Sequence, residues 1–153
     1  ATDPRALTIV NQERGQATTD QWWQWAAFSN DGKLAVSYYD RQYGNDETTG
    51  FMDMSLSGSK DNTHFATERV TSSSMPPPTQ FPNGFGNSVF FGDYTGLSAA
   101  SDAHPLWMDT RDTDLFVCGS PPGVCTATAP NGLVANDQDI FTEALGIPGE
   151  GDH

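Results

Sequence analysis

The chain has 153 residues, twenty acidic side chains against seven basic ones and a formal charge of −13. That length suits one domain, and a field of that sign repels phosphate backbones, which argues against a nucleic-acid partner. No apolar run approaches the roughly 18 residues of a membrane helix, so no membrane partner is expected, while four Trp, nine Phe and four Tyr suffice for a folded core among many Gly and Pro turns.

In chain order, residues 6–10 (Ala-Leu-Thr-Ile-Val) read as a lone strand. Thr19 to Phe28 has the outline of a capped helix, but a second stretch shares its pattern. Sliding the sequence by 69 positions pairs Trp25 with Tyr94, Ala27 with Gly96, Tyr38 with Trp107, Tyr39 with Met108 and Asp40 with Asp109. The second copy carries Gly92 and Gly96, poor helix formers, so both copies read as strands. In the first copy Trp23–Ser29 is a strand, Asn30-Asp31-Gly32-Lys33 a hairpin turn and Leu34–Tyr39 the returning strand. After a polar loop, Phe51–Leu56 and Phe65–Thr71 complete four antiparallel strands, with a turn over 58–63 between them. Ser72 to Pro78 is a stiff crossover that cannot join a central strand. The second copy follows as Tyr94–Ala99, His104–Met108 and, beyond an insertion over 112–136, Ile140–Leu145; its fourth strand is missing. Trp25, Phe28, Tyr38 and Trp107 are expected in the core. Trp22 and Trp23, adjacent on a strand, should point to opposite faces. The tail 146–153 is expected to be mobile.

Cys118 and Cys125 bracket Gly-Ser-Pro-Pro-Gly-Val, which turns back on itself. Two cysteines without a neighbouring His are half a metal site, so a local disulfide is the better reading and two reduced surface thiols the alternative. A disulfide implies an oxidising compartment and a secreted chain, its export signal removed or part of a longer precursor.

The fold expected is all-β: about two four-stranded units over residues 20–72 and 90–145, plus the extra strand at 6–10. Such units recur in propellers, which need about four to eight to close. Two leave apolar faces and strand edges in water. Another chain or identical copies must then complete the ring, and residues 1–145 form a partial propeller.

Several segments resemble the C-terminal blades of secreted bacterial sialidase-like (BNR-repeat) propellers. These are Gln24-Trp25-Ala26-Ala27, Val36-Ser37-Tyr38-Tyr39-Asp40-Arg41, Phe91-Gly92-Asp93-Tyr94-Thr95-Gly96-Leu97, His104 through Arg111, and Asp137 through Thr142. The resemblance spans about residues 20–145 and implies a six-bladed ring. It also points to the family's Asp-box, of which Ser59-Lys60-Asp61-Asn62-Thr63-His64-Phe65 is a degenerate copy, without the Gly and one residue short. There the Asp is expected to accept backbone N–H bonds within the turn.

Propeller geometry collects Trp22, Trp23, Asp40, Arg41, Tyr43, Asp93, Tyr94, Asp109 and Arg111 on one face. Aromatic rings stack on apolar sugar faces, and Asp and Arg bond hydroxyls or a carboxylate. The resemblance implies glycan binding or hydrolysis there, with Asp40, Arg41, Asp109, Arg111 and Tyr94 as catalytic candidates. Trp22, Trp23, Tyr43 and Asp93 are the ligand-binding candidates. The alternative for Asp40/Arg41 and Asp109/Arg111 is structural, because recurrence at one place in successive units also suits ion pairs between them. In that case the chain is a non-catalytic extracellular scaffold or assembly subunit. No cofactor is expected; the acidic stretches 109–114 and 136–139 offer oxygen ligands for calcium but fit no EF-hand loop.

Overall fold

The computed structural model describes residues 7–43, 50–78, 95–115, 134–136 and 138–149. Among these residues two antiparallel sheets and a short ladder account for the regular structure, with a 3₁₀ turn at Arg14–Thr18. The first sheet is the meander β1 (Gln21–Phe28), β2 (Leu34–Asp40), β3 (Asp53–Ser59) and β4 (Ala66–Arg69). The second contains β5 (Gly96–Ala99), β6 (Asp102–Asp109), β9 (Asp139–Thr142) and β10 (Leu145–Gly146). Between them in sequence, β7 (Thr113–Leu115) and β8 (Val134–Asn136) pair with each other at the base of the insertion. Strands β9 and β10 keep one register along the same edge of β6, broken opposite His104 and Pro105. Proline has no N–H for the ladder. Among the described residues the second sheet thus has four strands, with β9 and β10 sharing one edge of β6 and β5 on the other.

The sequence reads out in β3 as strict alternation. Met54 and Leu56 face the second sheet; Ser55, Ser57 and Ser59 face the other way. Beside them in β2, Ala35 and Tyr39 join Met54 and Leu56 in a core that takes Leu97, Ala103 and Trp107 from the second sheet. Each such fully buried aliphatic side chain contributes about 1.5–3 kcal/mol. The serine face is closed by residues 7–19. Gln16 there bonds the Tyr38 hydroxyl at 2.7 Å and the Asp40 carboxylate at 2.7 Å, and Tyr38, Ser57 and Thr67 continue the chain of bonds. A buried polar face of this kind persists only when its groups are satisfied.

Four expectations change. Residues 7–10 form no strand; they lie beside the first sheet, where Val10 packs on Val36, Tyr38 and Phe65. Trp25 and Phe28 are not core, being 48% and 62% exposed, because β1 is the edge strand of its sheet. Residues 146–148 of the tail expected to be mobile are anchored, and 150–153 lie outside the described residues: Gly146 pairs in β10 and Ile147 is buried. Pro148 passes so close to Gly58 that a Cβ there would run into its carbonyl. Finally, the two hairpins differ in length. Phe28 pairs with Leu34 but Ala99 with Ala103, so the first strands align two residues away from the simple slide of 69.

Candidate functional site

The second strand of each sheet ends on a buried aspartate, Asp40 (0% exposed) and Asp109 (2%). A third, Asp53, starts β3 directly opposite Asp40 and is equally buried.

Asp40 is satisfied by neutral donors. Its oxygens accept from Gln16 Nε2 at 2.7 Å, Ser55 Oγ at 2.8 Å, Gln42 Nε2 at 2.9 Å, Gln42 N at 3.0 Å and Gln21 Nε2 at 3.2 Å. Arg41 is not among the donors to Asp40. Successive residues leave an extended strand on opposite sides, and Arg41 stands 3.5 Å from Asp20 with its guanidinium 5.0 Å over the Trp22 ring.

Asp109 does pair with Arg111. It takes the Arg111 backbone N–H at 3.0 Å, Nε at 2.9 Å and Nη2 at 2.7 Å, and Trp107 Nε1 at 3.1 Å. Burial alone would raise the Asp109 carboxyl, but the Arg111 and Trp107 bonds outweigh it and hold the group below the usual carboxylate range. Arg111 Nη1 also donates to Ser72 Oγ at 2.8 Å and Ser73 Oγ at 3.3 Å, tying β6 to the crossover. Asp53 answers from the first sheet, taking Arg69 Nη2 at 2.7 Å, Thr71 Oγ1 at 2.6 Å and Ser74 Oγ at 2.7 Å. Ser72–Ser74 therefore joins two ion pairs, one from each sheet. Asp53, Arg69 and Gln16 are absent from the sequence-derived set. The signal for Asp53 was its position opposite Asp40, visible only once register is known.

The aromatic candidates gather on Tyr39. Trp22 stacks on it at 5.6 Å and 16°, and Trp23 meets it edge-on at 6.0 Å and 76°. Adjacent residues reach the same ring because the pairing slips between Trp22 and Trp25, and Trp23 sits at φ +51°. This is a β-bulge, which breaks the alternation that predicted opposite faces. A left-handed φ is rare for a bulky side chain; the bulge carbonyl takes the Thr95 hydroxyl at 3.1 Å from the second sheet. Tyr43 lies beneath Arg69, 5.1 Å from ring centre to guanidinium, and burial pushes its phenol up to about 12. A phenol that reluctant to ionise is a poor nucleophile at neutral pH. Asp93, Tyr94, Cys118 and Cys125 lie outside the described residues.

At the other end of β3, Asp61 behaves as expected of the turn. It accepts the Thr63 and His64 N–H groups at 2.8 Å each, with the His64 ring at 2.7 Å and Ser59 Oγ at 3.1 Å. Those bonds, the His64 backbone first, hold its carboxyl far below the ordinary range. Among the described residues no group of three or more His, Cys, Asp or Glu is disposed to hold a metal ion.

The chemistry available at the Asp40/Asp109 end is thus cohesion. Their carboxylates are enclosed and spoken for by neighbouring donors. Comparison with protein-family models, with curated proteins and with solved structures finds no match to this chain.

Proposed function

We propose that this chain is a scaffold segment: two neighbouring radial sheets of a secreted, sialidase-like propeller whose Asp and Arg side chains bind sheets together. One observation carries this reading. The candidate acids Asp40 and Asp109 are buried and already occupied by protein donors, whereas an acid, base or nucleophile must reach substrate within hydrogen-bond distance. The meander order of the first sheet and the Asp61 turn support the propeller assignment. On this reading the ring is completed by further sheets, from another chain or from copies of this one.

A glycan-binding role is the second reading, favoured by the strained bulge. Non-glycine residues at left-handed φ cluster at functional sites, and Trp23 there adjoins Trp22 and Arg41 in an aromatic and cationic group suited to a sugar ring.

Arg111→Ala and Trp23→Ala separate the two. The scaffold reading expects no turnover of a fluorogenic sialoside by the wild-type chain and a loss of thermal stability in Arg111→Ala. Turnover that vanishes in a fully folded Arg111→Ala overturns it. Glycan-array binding lost in Trp23→Ala with stability retained establishes the second reading.

A further inference from the structure

We propose that Glu68 is an acid-operated latch between the two sheets: with its carboxyl protonated, the arm of residues 143–148 seats firmly on β3 and β4, and with it ionised the arm comes away. The device goes beyond the scaffold reading and does not require it.

Register places the group. Glu68 pairs with Leu56, and Ala66 with Gly58, across β3 and β4. Cross-strand partners share a face, so Glu68 stands on the side that Leu56 and Val70 bury against the second sheet. The arm closes that side. Leu145 and Ile147 join the same core, and the Ile147 side chain and Pro148 carbonyl lie over Gly58, one pair along from Glu68 on that face. A carboxylate among such apolar groups is costly unless it is bonded. Glu68 Oε1 is out of reach of solvent and takes no hydrogen bond from the described residues.

Among the described residues no cation answers it. Its chain neighbour Arg69 leaves the strand on the other side and is held by Asp53. On β6, Asp102 and His104 alternate with the inward Ala103 and point away. Asp109 and Asp139 pair at the opposite end of the second sheet. The turn between β3 and β4 carries Lys60, Asp61 and His64 in exposed positions, with Asp61 bonded to His64. The charge that reaches Glu68 from the second sheet is that of Glu143, at the start of the arm. It has the same sign.

An ionised Glu68 is therefore a desolvated charge repelled by its neighbour, and opening the arm gives both carboxylates water. Protonation removes the repulsion and most of the cost of burial. Burial first, and then Glu143, raise the docked carboxyl. The docked arm thus holds the proton at a pH where the open arm has lost it, so docking is favoured in acid and weakens as pH rises through the docked value. Its equilibrium changes about tenfold for each unit between the docked and open values.

Hydrogen exchange at residues 145–147, expressed as protection against an unfolded peptide at the same pH, reads the latch, with the β2 amides as internal reference. Between about pH 5 and about pH 7, arm protection is expected to fall several-fold relative to β2. Glu68→Gln should keep it high and level. Glu143→Gln should leave a smaller dependence, because burial remains. Carbon NMR titration of the Glu68 carboxyl in the intact chain needs no variant and should place it above an ordinary glutamate. Arm protection that tracks β2 across this range overturns the proposal. So does a dependence that persists in Glu68→Gln, or a Glu68 carboxyl that titrates at or below the ordinary value.

Discussion

Tyr39→Phe deletes one oxygen from the seam and leaves the aromatic packing in place. The Tyr39 hydroxyl donates to the Met108 carbonyl at 3.0 Å and accepts the Met108 N–H at 3.0 Å, so both backbone groups of one residue depend on it. Tyr39 is 1% exposed, and water cannot take over without opening the seam. Two bonds at about 1 kcal/mol each, with a desolvation penalty for the orphaned groups, give a loss of about 2–4 kcal/mol. Burial first of all pushes the phenol well above its ordinary value, so the hydroxyl stays protonated through neutral pH and the loss should not vary there. Tyr38→Phe is the control. Its partners, Gln16 and Ser57, retain Asp40 and Thr67 as alternatives, so its cost should be about 1 kcal/mol. Urea unfolding followed by tryptophan fluorescence measures both. A Tyr39→Phe loss below about 0.5 kcal/mol, or one no larger than that of Tyr38→Phe, refutes the reasoning.

Three further outcomes are expected. Gly58→Ala drives a methyl group into the Pro148 carbonyl and the Ile147 side chain; the 146–148 segment should detach, with a loss of roughly 1–3 kcal/mol and proteolysis at the new end. Burial, and then the charge of Glu143, raises the Glu68 carboxyl. A carboxyl raised by folding favours the folded state only at low pH and loses that contribution as pH rises, so Glu68→Gln should raise the melting temperature at pH 7 and lose the advantage in acid. Asp109 has the opposite sign: its lowered carboxyl stabilises above the ordinary carboxylate range and stops doing so as pH falls through its folded value. Arg111→Ala should therefore move the acid-unfolding midpoint upward.

The strands of the first sheet were legible because alternation survives in them: Met-Ser-Leu-Ser in β3 sorts its faces without any knowledge of the fold. The Asp61 turn was legible because its bonds are local. The Trp22–Trp23 bulge was not, since nothing in Gln-Trp-Trp-Gln-Trp marks a slip and the left-handed residue is not a glycine. Exposure of Trp25 and Phe28 depends on which strand is the edge, a property of the assembled sheet. Gln16 and Asp53 were missed for a related reason. Their side-chain partners Tyr38, Asp40 and Ser74 lie far along the chain, and polar groups buried by long-range pairing leave no periodic trace. The anchored end at Ile147 was hidden likewise, because the space it fills exists only where Gly58 lets another backbone pass.

Residue-resolved hydrogen exchange at Met108 tests the packing of the two sheets against each other most directly, because that amide is held by a side chain from the other sheet and not by its own ladder. The account predicts protection equal to that of the β2 amides, lost selectively in Tyr39→Phe. Exchange at the rate of an open loop, with β2 still protected, would mean that the two sheets do not meet through this seam.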